Sequence, residues 1–300
     1  MKKYLFYLTL LLAVAMIFGA SASAQKTVTA KPKPVIFAVI NDGKTIEPIA
    51  YVENGKLSDA VTGSDNVNVL TAFSNNYYGA KASYRLIFGG ANAGTIAVKS
   101  SDPKADCSST MATVETTTTK TPLSGHRMAL ATNAVAKKQG SGVRRLPTWP
   151  ERNEIDLLVR AEFAENGVDV KKLDYHNLTA LDVDGDKKAE LVGSFWAESD
   201  AKSRTLLFFI AERGTDGKLK LTHTDLRVIK QDEVMNGEIS TLDEGVYHEL
   251  LLDVYDYDGD GVAEIFTYMK SFEGAGFTAY KRSAGKWTKA FEASNYHCAF

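Results

Sequence analysis

The sequence predicts a mainly β chain with one amphipathic helix, arranged as a small N-terminal β domain and a C-terminal domain of duplicated β units. Three observations carry this. Short apolar runs separated by turn residues fill most of the chain, and only the segment around 149–165 has a clear helical period. A nine-residue acidic loop also occurs twice in the last 120 residues, each copy running into an apolar stretch.

Met1-Lys2-Lys3, an apolar run over 4–18 and the small-residue site Ala22-Ser23-Ala24 read as a Sec-type signal peptide over 1–24, cleaved before Gln25. The apolar run is shorter than the roughly 20 residues that cross a bilayer. No later stretch is long enough either, so the mature chain is expected in the periplasm or outside the cell, without membrane insertion. Cleavage removes two lysines and no acid, moving the net charge from −2 to −4. That balance is too mild to indicate a nucleic-acid partner. Cys107 and Cys298 are the only cysteines. An oxidising compartment allows them to be joined. Sequence separation does not say whether their Cα atoms approach, so two separate thiols is the other open reading.

In the N-terminal domain, 25–116, apolar runs from residue 35 are broken by Asn-Asp-Gly and by Asn54-Gly55, a hairpin dipeptide. Runs at 82–88 and 95–98 flank a Gly-Gly-Ala-Asn-Ala-Gly turn. An all-β domain without recognisable chemistry is expected. Residues 117–147, rich in Thr and then in Lys, Gly, Ser and Arg, read as a linker with a short helix near Met128. The basic cluster Lys137, Lys138, Arg144 and Arg145 reads as its solvated face, with a docking patch as the alternative.

The C-terminal domain, 148–300, opens with Thr148-Trp-Pro150-Glu151, a capping box with proline in the first turn. Ile155, Leu158, Val159 and Phe163 then recur at helical spacing up to Asn166-Gly167, predicting a helix over 149–165. Strands follow at 178–181, 191–196, 205–211 and 218–226, and again at 249–254, 265–269, 277–282 and 286–291. Matching Asp182 to Asp256 gives an internal offset of 74 residues.

The first acidic loop reads Asp182-Val-Asp184-Gly-Asp186-Lys-Lys-Ala-Glu190 and the second Asp256-Tyr-Asp258-Gly-Asp260-Gly-Val-Ala-Glu264. Alternate aspartates turn inward when the backbone curls, glycine permits the bend, and the glutamate closes a cage of hard oxygens suited to Ca2+. Magnesium suits it less, because it demands a small octahedral shell. Lys187 lowers the affinity expected of the first loop. An EF-hand requires glutamate at position twelve between helices, whereas Gly193 and Thr267 stand there and both flanks read as strand.

Asp182, Asp184, Asp186 and Glu190, with Asp256, Asp258, Asp260 and Glu264 and the strands after them, resemble the calcium loops of FG-GAP and VCBS repeats, the integrin α-chain propeller type. The resemblance implies that each loop joins two strands of a partial β-propeller blade, and that the protein is an exported binding, adhesion or envelope protein. This chain departs from the family in having glutamate at position nine and in lacking the Phe-Gly and Gly-Ala-Pro landmarks. Residues 25–170 carry no part of it.

The remaining chemistry is sparse. His126, His176, His223, His248 and His297 lack paired metal spacing, and His297-Cys298 is an incomplete zinc pattern. Asp253 with Asp256 forms an acid pair on paper, although Asp256 is better used as a ligand. Tyr77-Tyr78 and Trp149, Trp196 and Trp287 are available for sugar stacking or for core packing. The expectation is a non-enzymatic, calcium-stabilised protein with an unknown protein or glycan ligand. The alternative is a secreted calcium-dependent hydrolase with unrecognised catalytic residues.

Overall fold

The N-terminal strands close on themselves. A computed structural model describes residues 32–298 apart from 62, 119–122, 125–126, 139, 235–238 and 240. The expected signal peptide and His126 lie outside the described residues. Strands β1 (Val35–Ile40), β2 (Thr45–Glu53), β4 (Ser83–Phe88), β5 (Ala91–Ser101), β6 (Ala112–Thr118) and β7 (Ala129–Thr132) pair in the order β1-β7-β4-β5-β6-β2, and β2 pairs back onto β1. The result is a six-stranded antiparallel barrel, to which β3 (Lys56–Asp59) adds through the expected Asn54-Gly55 hairpin. Both turn residues have positive φ, 51° and 71°, as this tight turn requires.

All six residues of β1 are buried. Val35, Phe37 and Val39 face the barrel core, while Ile36, Ala38 and Ile40 face outward into a second core, so the run is apolar without alternation. The all-β expectation for 25–116 is corrected by helix α1 (Val67–Tyr77), capped by the Asn66 side chain. It supplies Leu70, Phe73 and Tyr77 to the barrel core.

The linker expected at 117–147 is corrected too. Its residues include β7, fully buried between β1 and β4, where a short helix was expected, and β8 (Arg144–Arg145), which pairs with β9 (Lys172–Leu181). Ala129 and Ala131 face the barrel core and Leu130 faces the second core, so even this short strand is buried on both sides.

Helix α2 (Trp149–Glu165) forms as its capping box predicts, with both reciprocal hydrogen bonds between Thr148 and Glu151. Ile155, Val159 and Phe163 pack on the five-stranded sheet of β8, β9, β10 (Glu190–Asp200), β11 (Ser203–Arg213) and β12 (Leu219–Lys230). Burying each such side chain contributes roughly 1.5–3 kcal/mol. The short helix α3 (Gln231–Val234) follows.

A four-stranded sheet, β13 (Glu249–Tyr255), β14 (Glu264–Lys270), β15 (Gly274–Ser283) and β16 (Lys286–Tyr296), lies between the other two. Ile265, Tyr280 and Trp287 pack against Val192, Phe208 and Ile210 of the five-stranded sheet. Phe266, Phe277 and Ala279 pack against Ile36, Ile49 and Leu130 on the outside of the barrel. The layers therefore run helix, five-stranded sheet, four-stranded sheet, barrel. β9–β12 and β13–β16 are each an antiparallel up-and-down meander, as the duplication predicts.

Cys107 and Cys298 are joined, with Cα atoms 5.3 Å apart, which decides between the two open readings. The bond ties the β5–β6 connection to the segment after β16.

Candidate metal centre

The two acidic loops occupy the same place in each meander, between its first and second long strands, β9–β10 and β13–β14. Their backbones are built alike. Gly185 N–H donates to Asp182 Oδ1 at 2.8 Å, and Gly259 N–H to Asp256 Oδ1 at 2.6 Å. Asp186 N–H donates to Asp184 at 3.1 Å, and Asp260 N–H to Asp258 at 3.0 Å. Lys188 and Val262 N–H close the third turn on Asp186 and Asp260. Each closing glutamate accepts a backbone N–H from the second loop residue, Val183 to Glu190 and Tyr257 to Glu264. Gly185 and Gly259 have φ of 79° and 77°, the left-handed bend that glycine makes without strain.

In each triad one oxygen per aspartate lies within 4.8 Å of the others. Oxygens on opposite sides of a calcium ion stand about 5 Å apart, given bonds of roughly 2.3–2.6 Å. The donor set is all carboxylate and graded inward, from exposed Asp186 and Asp260 to buried Asp182 and Asp256, and it fits a hard cation. Six of the eight residues expected from the sequence are brought together as two aspartate triads, and Glu190 and Glu264 meet their loops through the Val183 and Tyr257 N–H groups. The sets are also neighbours, because Ala263 N–H donates to Val183 O at 2.7 Å.

Two cations that the sequence did not single out come from β15. The Lys281 ammonium meets Asp258, Asp260 at 2.7 Å and Glu264 at 3.1 Å, so it sits on three of the four carboxylates of the second loop. Arg282 crosses to the other sheet and binds Asp184 at 2.6 Å and Glu212 at 2.7 Å. Their signal in the sequence was weak, since it lay only in the register of β15 beside β14. Lys187, expected to weaken the first loop, is exposed with φ of 69°.

The electrostatics differ accordingly. Burial pushes Glu190 up to about 7, its backbone hydrogen bond opposes, and Asp184 and Glu212 add to the rise. Burial pushes Glu264 up to about 8 even though Lys281 opposes it. Burial works against ionisation of Asp260, but Lys281 outweighs it and the group is held below the usual range. Burial likewise opposes the Lys281 charge, and its three carboxylates outweigh that penalty, so its pKa is raised. The buried glutamates thus favour an added cation, and each loop already has one from the protein, Lys281 on three carboxylates of the second and Arg282 on Asp184 of the first.

The stretch that carries the basic cluster, read as a solvated linker, lies on both loops. Lys137 donates to Asp258 O at 3.1 Å and packs over Gly259, while Ser141 donates to Asp182 O at 2.8 Å. Arg144 pairs with Asp253 at 2.9 Å inside the fold. Asp253, one half of the paper acid pair, is fully buried and also accepts from Gly89 and Gly90 N–H, so it is a structural pin.

No protein-family model, curated protein or solved structure matches this chain.

The other sequence candidates are placed as follows. His297 pairs with buried Glu47 at 2.6 Å and Cys298 is oxidised, which removes the zinc pattern. Tyr77 and Tyr78 are buried, their hydroxyls donating to the Lys33 and Thr110 carbonyls. Trp287 is in the core between the sheets, Trp196 carries Lys172 and Arg204 over its ring, and Trp149 is exposed.

Proposed function

We propose that this chain is an exported, non-enzymatic calcium-binding β protein, whose two loops hold Ca2+ and fix the ends of two blade-like meanders for binding a protein or glycan. One observation carries the reading: the same four carboxylates, in the same hydrogen-bonded turns, stand at the same strand junction of both meanders. The likeness of these loops to FG-GAP and VCBS repeats points the same way. Calcium here is a structural cross-link. It neutralises carboxylates that otherwise repel and locks β9 to β10 and β13 to β14.

A second reading rests on Lys281. Its ammonium satisfies three carboxylates of the second loop, so that loop is able to stand as a metal-free turn held by lysine. In that reading only the first loop takes calcium.

A thermal melt of the chain from Gln25 in chelator, in calcium and in magnesium tests the proposal. A site at one hundred times its dissociation constant adds about 2.7 kcal/mol by mass action. A calcium-specific rise in Tm is expected. Equal melts in all three buffers contradict it.

A further inference from the structure

The acidic loops follow the C-terminal ends of β9 and β13. At the N-terminal end of β13, a strand about 20 Å long at its usual rise, the structure holds a different feature. A cavity of about 540 Å3 opens where three layers meet, between the β1–β2 turn of the barrel, β9 of the five-stranded sheet, and the start of β13 with the end of β14. Its size falls within the roughly 300–1,000 Å3 of small-molecule sites, which favour such junctions.

The lining divides by chemistry. Ile40, Met128, Val246 and Leu250 give an apolar floor, extended by the ring of Tyr268. The His176 and His248 rings stack face to face, 4.5 Å apart and 4° from parallel, and form a flat wall. Burial, followed by His176 and Arg227, pushes His248 down to about 4, so its imidazole is uncharged at neutral pH. The charged side chains of the lining are Arg127, Lys270 and Asp42, and Arg127 is exposed. A guanidinium fork matches a carboxylate with two parallel hydrogen bonds. The Arg127 guanidinium suits a carboxylate head, and the histidine pair and apolar floor suit an aromatic or aliphatic body.

We infer that this cavity binds a small amphiphilic carboxylate, its anionic head on Arg127 at the rim and its apolar body between the histidine pair and the floor. The site is separate from the metal loops and does not depend on calcium.

Calorimetric titration in chelator with 1-naphthylacetate, and with its neutral amide of the same shape, tests this. The acid is expected to bind at least tenfold tighter than the amide. Arg127→Gln, a change at an exposed side chain, removes that preference without moving Tm, and Val246→Trp, which fills the floor, weakens both compounds. Absence of binding at millimolar acid, equal binding of acid and amide, or binding unaltered by both variants overturns the inference.

Discussion

Arg144 Nη1 donates to Asp253 Oδ2 at 2.9 Å, with both side chains nearly or fully buried, and so joins the edge strand β8 of one sheet to the edge strand β13 of the next. The same nitrogen donates to the Met128 and Leu252 carbonyls, while Asp253 also accepts from Gly89, Gly90 and Val254 N–H. An extra residue in β13 between Leu251 and Asp253, relative to β14, accompanies this arrangement. Asp253→Ala leaves a buried guanidinium without its counter-charge and three backbone donors without partners. It is expected to cost roughly 3–5 kcal/mol in urea denaturation. Asp156→Ala, which breaks the exposed pair with Arg160, is expected to cost under about 0.5 kcal/mol. Equal losses from the two variants contradict the assignment of Asp253 as a pin.

The Cys107–Cys298 bond closes a loop over a sequence separation of 191 residues. In the chain-entropy account a loop of that length contributes about 5 kcal/mol. Reduction with dithiothreitol, or the paired change of both cysteines to serine, is expected to lower Tm by several degrees. An unchanged melt shows that the crosslink adds nothing.

Much of the C-terminal half was legible in the sequence. Thr148, Pro150 and Glu151 mark the helix start through local hydrogen bonding, and the strands of both meanders lie where apolar runs stop at Asp-Gly and Ser-Ala-Gly turns. The barrel was less so. β7 contains two alanines, which carry little strand preference, and is a strand because β1 and β4 flank it from far along the chain. Asn66, Leu70, Phe73 and Tyr77 did carry the cap and spacing of α1, but polar Asn75 and Asn76 weaken the pattern. At the candidate site, the carboxylates follow from spacing within one loop. Lys281 and Arg282 arrive from a neighbouring strand, which local pattern does not report.

Lys281 competes with any ion at the second loop, because its ammonium shares Asp260 and Glu264 with the site. Lys281→Met removes a positive charge beside an incoming cation. It is expected to tighten calcium binding at the second loop by about tenfold, or roughly 1.4 kcal/mol, and to leave the first loop unchanged. Calcium titration of the variant reads this. Weaker binding at the second loop means that Lys281 supports the cage.

His248 gives the fold an acid sensitivity. Its folded pKa, about 4, lies below the ordinary 6.5, mainly through burial and then through His176 and Arg227. The unfolded chain therefore takes up this proton first, and the contribution is complete above about pH 6.5 and lost as pH falls towards 4. Burial raises Glu249, whose effect has the opposite sign, so the comparison must be made against His248→Phe at each pH. Wild type is expected to lose on the order of 1–2 kcal/mol relative to that variant between pH 7 and pH 4, after allowing for solvent screening. Parallel pH profiles rule this out.

The most direct test of the metal assignment is a calorimetric titration of the chelator-stripped chain from Gln25 with calcium, alongside Asp184→Ala and Asp258→Ala. Two ions per chain are expected, one lost in each variant, with magnesium giving little heat at the same concentration. Absence of calcium binding at millimolar concentration, or a stoichiometry that neither variant alters, contradicts the assignment of these loops as calcium sites.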